Sequence, residues 1–307
     1  MTLPIVFTPE IVQSLAQNRP LVALESTIIT HGMPFPQNVE TARRVEDEVR
    51  DHGATPATIA VMGGKIHVGL SGEALTALGQ AKDVMKLSRA DLAACLATGR
   101  TGATTVAATM ICAHLAGIHV FATGGIGGVH RGADQSFDIS ADLLEFAQTP
   151  VTVVAAGAKA ILDIPKTLEV LETHGVPVIA YGQTEFPAFW SRSSGHAAPL
   201  SMTTAAQIAC AHLMRARLGL TGGQLIANPI PRRSEIPRAE ISPIIEVALA
   251  EARDQGISAK AVTPFLLQRI FELTQGRSLT ANIALVLSNA RLAAEIATEI
   301  TRMRTQS

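Results

Sequence analysis

With 307 residues, 47% of them hydrophobic and 17% charged, the chain has enough apolar material for a sizeable core, which excludes a disordered protein. The formal net charge of −1 excludes the basic footprint of a nucleic-acid-polymer binder, so a nucleotide ligand would be a monomer held in a pocket. Aromatic residues are only 4%, so the interior must be built mainly from Ala, Val, Ile and Leu around small residues. Cys95, Cys112 and Cys210 form no CxxC pair and are odd in number, which fits small buried thiols in a reducing compartment. The N-terminus, MTLPIVFTPEIVQSLAQNRP, lacks the basic start and apolar core of a signal peptide. The stretch from Thr104 to Val120 comes nearest to a membrane span, but His114 and His119 interrupt it. These features predict a cytoplasmic protein without a membrane partner.

The first clear element is LVALESTII from Leu21, a buried strand ending in polar residues. In the following loop, THGMPFPQN, Pro34 and Pro36 exclude helix and suggest a stiff flap over residues 33–38. NVETARRVEDEVRDHG is predicted helical, with Asn38 as N-cap, Val39, Ala42, Val45 and Val49 on one face, and Gly53 as the stop. Its charges from Arg43 to Arg50 read as a solvated face. ATIAVMGGKIHVGL reads as strand, glycine turn and strand. GATTVAATMICAHLAG reads as helix, and IHVFATGG as a strand entering a glycine-rich loop. VTVVAAGAKAILD, VPVIAY and GGQLIANPIP supply further strands. Helices follow over roughly Pro243–Asp254, Pro264–Leu273 and Leu279–Met303. This alternation predicts an α/β protein with a three-layer α/β/α architecture, a central sheet that is mostly parallel or mixed, and a single domain over residues 1–307.

In such sheets ligands gather outside the carboxyl ends of the strands. Lys159 follows a buried-looking strand among apolar and small neighbours. Two readings are open: a desolvated amine able to attack carbon, or a lysine that snorkels to the surface at a helix start. Glu25, just past LVAL, is either a half-buried general acid or a cap for the next loop. GGIGGVHRGADQSFDIS combines a glycine turn, whose bare amides can hold phosphate or sugar oxygens, with His130, Arg131, Asp134 and Asp138. The hard oxygen of Asp138 suits Mg²⁺ or Mn²⁺ better than zinc, the alternative being a solvated aspartate on a flexible loop. No G-x-G-x-x-G opens a helix here, and MGGKIH is not a P-loop because Ile66 stands where Ser or Thr is required. Lys86, with Arg89 nearby, is an anion binder or a surface lysine. Asn282 is a polar residue in an otherwise apolar helix, and its context leaves its role open.

The segments ALESTIITHGMPFPQN, KLSRADLA, GATTVAATM, FATGGIGGVHRGA with FDISADL, VVAAGAK, IANPIP, and TPFLL followed by SLTANIALV occur in one order along the chain. Together they resemble the pseudouridine-5′-phosphate glycosidase family over almost the entire length. The resemblance implies reversible cleavage of the C–C glycosidic bond of pseudouridine 5′-phosphate to uracil and ribose 5-phosphate. It implies Glu25 as proton donor and Lys159 as the nucleophile that forms a covalent iminium intermediate. Asp138 would hold Mn²⁺, or another divalent cation such as Mg²⁺, largely through water. Lys86, Val106, Ser140, Ala141 and Asp142 would line the substrate site, with Asn282 facing the pocket. A homotrimer is also implied. Two other readings compete: a C-glycoside synthase joining ribose 5-phosphate to another aromatic acceptor, and a non-catalytic sugar-phosphate binder, for which neither Glu25 nor Lys159 would be needed.

Overall fold

The structure, a computed structural model, describes residues 2–257 and 262–306. Its strands are β1 (Ile5–Phe7), β2 (Leu21–Leu24), β3 (Thr55–Met62), β4 (Lys65–Val68), β5 (Met85–Leu87), β6 (Gly102–Thr104), β7 (Val120–Ala122), β8 (Val129–His130), β9 (Thr152–Ala155), β10 (Leu162–Asp163), β11 (Val178–Tyr181), β12 (Leu200–Met202) and β13 (Gln224–Ala227). Eleven of them form one sheet in the order β1-β4-β3-β2-β7-β9-β13-β11-β12, with β6 on β3 and β5 on β6. From β3 to β12 every neighbouring pair is parallel, whereas β4 and β6 meet β3 antiparallel. β2, β7, β9 and β13 are buried at every residue, as parallel strands covered by helices on both faces must be. This is the expected three-layer arrangement with a mixed sheet.

One helical layer is dominated by the long helix Arg277–Thr305, which crosses β2, β7 and β9 and packs beside Gln37–Asp51 and Ala205–Arg217. It buries Ala281, Ala290, Ala293, Ala294 and Ala297, so its backbone lies close to the sheet; this is how a core poor in aromatics is filled. Val106–Leu115 and Ala141–Gln148 pack together in the other layer. Cys95 and Cys112 are buried and Cys210 exposed, all free thiols, and burial pushes Cys112 up to about 12, leaving it unreactive. No helix among the described residues is long and apolar enough to cross a membrane.

Several local expectations are corrected. GATTVAATM is not helical throughout: Gly102–Thr104 is strand β6, and the helix begins at Val106. Asn38 is not an N-cap. The helix starts at Gln37 behind Pro36, and the buried Asn38 side chain donates to the carbonyls of Ile29 (2.6 Å) and Gly79 (2.9 Å), tying three segments together. The charged helix face is not wholly solvated either, because Glu46 is buried and accepts from Thr58 Oγ1 at 2.6 Å. The C-terminal helices reach further back than expected, to Arg238, Val262 and Arg277 among the described residues. Pro243 lies inside the first of them, where it removes one amide donor without ending the helix.

Candidate active site

β2, β7 and β9 end side by side, with Leu24 paired to Ala122 and Ala122 to Val154. The residues that follow open a cleft of about 400 Å³ whose walls include Glu25, Gly124 and Lys159, a volume suited to a small organic ligand. Every residue that the family resemblance assigns to the site lines it: Glu25, Lys86, Val106, Asp138, Ser140, Ala141, Asp142, Lys159 and Asn282. His130 lines it too, whereas Arg89, Arg131 and Asp134 pair instead with Glu145, Glu246 and Lys166.

The carboxylate of Glu25 is held by two hydroxyl donors, Thr27 Oγ1 on one oxygen and Thr123 Oγ1 on the other. Thr123 is itself anchored from the opposite layer. Asn289, fully buried on the long helix, donates through Nδ2 to the Thr123 carbonyl at 2.7 Å, and accepts from Asn228 Nδ2 at 2.9 Å. Asn228, just past the end of β13 in the IANPIP segment, therefore contributes to the orientation of Glu25 through Asn289 and Thr123.

Lys159 is placed by backbone pairing that outlasts the strands. Its amide donates to the Ile126 carbonyl (3.1 Å), and the Ile126 amide donates to the Gly157 carbonyl (3.1 Å). Gly157 has φ +89°, and a Cβ there would lie 2.4 Å from the Pro187 carbonyl oxygen, so only glycine makes this turn. After the glycine loop, β8 pairs antiparallel with β10, and the chain doubles back so that the His130 amide donates to the Asp138 carbonyl (3.0 Å). His130 Nδ1 then stands 3.9 Å from Asp138 Oδ2. Burial holds the imidazole below its ordinary value; Asp138 opposes this, while the charges of Lys159 and Lys86 reinforce it. His31, on the same wall, is also lowered by burial and by Lys86.

Two helix starts meet at one end of the cleft, Val106–Leu115 behind Thr105 and Ala141–Gln148 behind Ser140. Asp142 locks them together. It is buried, and its two oxygens accept from the amides of Ala107 (2.9 Å) and Gly127 (2.8 Å). A Cβ on Gly127 would fall 2.7 Å from Asp142 Oδ2, so the close approach requires glycine. Asp142 thus shapes the wall with its carboxylate already engaged. Asp142→Asn would set an NH₂ against one of those amides and should cost about 2–4 kcal/mol, read as a lower urea midpoint with an unchanged slope. Thr105 Oγ1, also on the wall, is buried and finds no hydrogen-bond partner among the described residues. With Lys86 and the two helix starts it forms an end suited to an anion's oxygens.

Apolar side chains, among them Ile28, Met33, Phe189, Leu267 and Val286, also line the cleft. Phe189 is held at φ 62°, a conformation that side chains rarely adopt. Sequence reasoning missed Thr27, Thr105, Thr123, Trp190, Asn228 and Asn289. Asn289 carried the signal that drew attention to Asn282, a polar residue in an apolar helix.

A family model described as Indigoidine synthase A like protein matches residues 10–299. A pseudouridine-5′-phosphate glycosidase of Paracoccus denitrificans is 75% identical over 295 residues, covering 95% of this chain and 97% of that protein. Its counterpart in Jannaschia sp. is 68% identical over 301 residues, covering 98% and 100%. The chain belongs to the pseudouridine-5′-phosphate glycosidase family. Among solved structures, the prealnumycin C-glycosynthase in complex with ribulose 5-phosphate superposes with a TM-score of 0.93 at 38% identity, covering 100% of both chains. An indigoidine synthase A-like protein from Thermotoga maritima gives 0.88 at 34% identity, covering 98% of this chain and 97% of that one.

Among the described residues no group of three or more His, Cys, Asp or Glu could hold a metal ion. Asp138, with 41% of its side chain exposed beside His130, offers one hard oxygen ligand. That donor set fits a hydrated Mn²⁺ or Mg²⁺, which keeps several waters, and does not fit a closed zinc site.

Proposed function

We propose that this enzyme cleaves the C–C glycosidic bond of pseudouridine 5′-phosphate, releasing uracil and ribose 5-phosphate, with Glu25 as proton donor and Lys159 as nucleophile. The observation that carries the proposal is the convergence of these two side chains, from the ends of β2 and β9, on one cleft whose wall also carries Lys86, Thr105 and the starts of two helices. The phosphate would lie against Lys86, Thr105, Ser140 and the starts of the two helices.

In an ordinary glycosidase the leaving oxygen or nitrogen is protonated, a route closed here because the leaving atom is a carbon without a lone pair. Glu25 instead gives its proton to the ring oxygen as the C1′–O4′ bond opens. The Lys159 amine then adds to C1′, losing a proton. The nitrogen lone pair next expels the uracil carbon, which takes up a proton, and an iminium remains on Lys159. Water adds to C1′ and frees ribose 5-phosphate and the amine. A divalent cation held by Asp138 through water would neutralise charge at the sugar-phosphate end.

The test is uracil release from pseudouridine 5′-phosphate with Mn²⁺ present, followed by chromatography; intact, metal-loaded protein that releases none would refute the assignment. Asp138→Asn should raise the Mn²⁺ concentration needed for half-maximal activity about 10–100-fold. The likeness to a C-glycosynthase favours one second reading, the same chemistry run toward bond formation with a larger aromatic acceptor. Acceptor preference in the joining direction separates the two. A homotrimer in a reducing cytoplasm completes the proposal, and the exposed apolar side chains of Phe137, Ile139 and Leu144 give such an assembly surface to cover. Light scattering would read the assembly state.

A further inference from the structure

Trp190 is the chain's single tryptophan and is 1% exposed. Its Nε1 donates to Asn282 Oδ1 at 2.8 Å and to the Ser278 carbonyl at 3.1 Å. The loop that carries it is fixed at several points. The Phe189 amide donates to the Ala156 carbonyl at 3.0 Å, the Ile236 amide donates to the Trp190 carbonyl at 2.9 Å, and the Phe189 and Trp190 rings meet edge to face at 5.1 Å.

An indole N–H can only donate. The atom of Asn282 that faces it must therefore be the carbonyl oxygen, so the amide's orientation follows from chemistry. With Oδ1 engaged, the group Asn282 can offer to the cleft it lines is its NH₂, which also only donates. A ring seated against it must present an acceptor. An amino group at that edge would set donor against donor in a half-buried place, a mismatch that a site built around a hydrogen bond rejects strongly.

We propose that Trp190 fixes the Asn282 amide as a donor and so makes the base end of the cleft selective for a ring bearing a carbonyl oxygen over one bearing an amino group. This rests on the reaction proposed above, and it seats the leaving base against Asn282, which lines the cleft. Trp190 is a positioning residue, since it acts through Asn282.

The test uses the full-length chain carrying Lys159→Ala and supplied with Mn²⁺, in which the bond stays intact and affinities are read by calorimetry. The ligands are pseudouridine 5′-phosphate and its two analogues with an amino group in place of either ring carbonyl. The expected result is that the analogue altered at the Asn282 edge binds at least about tenfold more weakly than pseudouridine 5′-phosphate. Trp190→Phe keeps the ring but deletes the N–H, and should bring that ratio to within about threefold, since the amide is then free to turn. A merely structural role would weaken all three ligands alike and leave the ratio unchanged. Asn282→Asp, which keeps an acceptor for Trp190 but presents oxygen to the ligand, should reverse the preference. A ratio unmoved by Trp190→Phe, no preference in the parent chain, no binding at all, or no reversal in Asn282→Asp would each overturn the filter. Absence of uracil release by the wild-type chain would instead refute the proposed reaction, because the affinities are measured without turnover.

Discussion

Lys159→Ala is expected to lower uracil release by about 10⁴-fold or more, because it removes the only atom proposed to bond to the sugar carbon. Lys159→Arg should not restore activity, since a guanidinium stays charged and cannot act as the free amine. Neither change should much alter stability. The position of residue 159 is set by its backbone amide on Ile126 and by the turn at Gly157. The side chain is only half-buried, so its loss removes little packing. Steady-state uracil release and a melting curve measured on the same preparation check both parts. Activity within tenfold of wild type would remove Lys159 from the chemistry.

Glu25→Gln is the second large effect. Glutamine is nearly the same shape and keeps an oxygen that can accept from Thr27 or Thr123, so the cleft should stay open and the phosphate end intact. What it lacks is a proton to give the ring oxygen. The expected fall in kcat is about 10²–10⁴-fold, with affinity in the Lys159→Ala background shifted no more than a few-fold. A fall in affinity as large as the fall in kcat would mean that Glu25 holds the substrate and does not protonate it.

Much of this site was legible because its residues break a strong pattern. Glu25 and Lys159 are each the polar residue that ends or follows an apolar strand, and the sheet topology then places both at carboxyl ends on either side of β7. Asp138 was visible as a hard oxygen donor in the segment that follows the glycine run. What could not be read was support from far along the chain. Asn289 reaches Thr123 across 166 positions, and Trp190 reaches Asn282 across 92, so nothing in local spacing announces either bond. Asp142 was legible as a wall residue, but its work as a clamp depends on the Ala107 and Gly127 amides, which periodicity does not place.

The fold errors have specific causes too. β6 is the three residues Gly-Ala-Thr, too short and too small to show strand character beside a strong helix. Glu46 reads as part of a solvated face and Asn38 as an N-cap, yet each finds a buried partner, Thr58 in one case and two backbone carbonyls in the other. In both cases tertiary contacts decided the matter, through groups that lie in other elements.

The central claim is that Lys159 bonds to the sugar, and borohydride trapping tests it most directly. The wild-type chain is mixed with pseudouridine 5′-phosphate and Mn²⁺, reduced with borohydride, digested and mapped by mass spectrometry. A reduced sugar-phosphate adduct on the peptide containing Lys159, absent without substrate, is the predicted result. An unmodified Lys159 from protein that is releasing uracil would contradict the account.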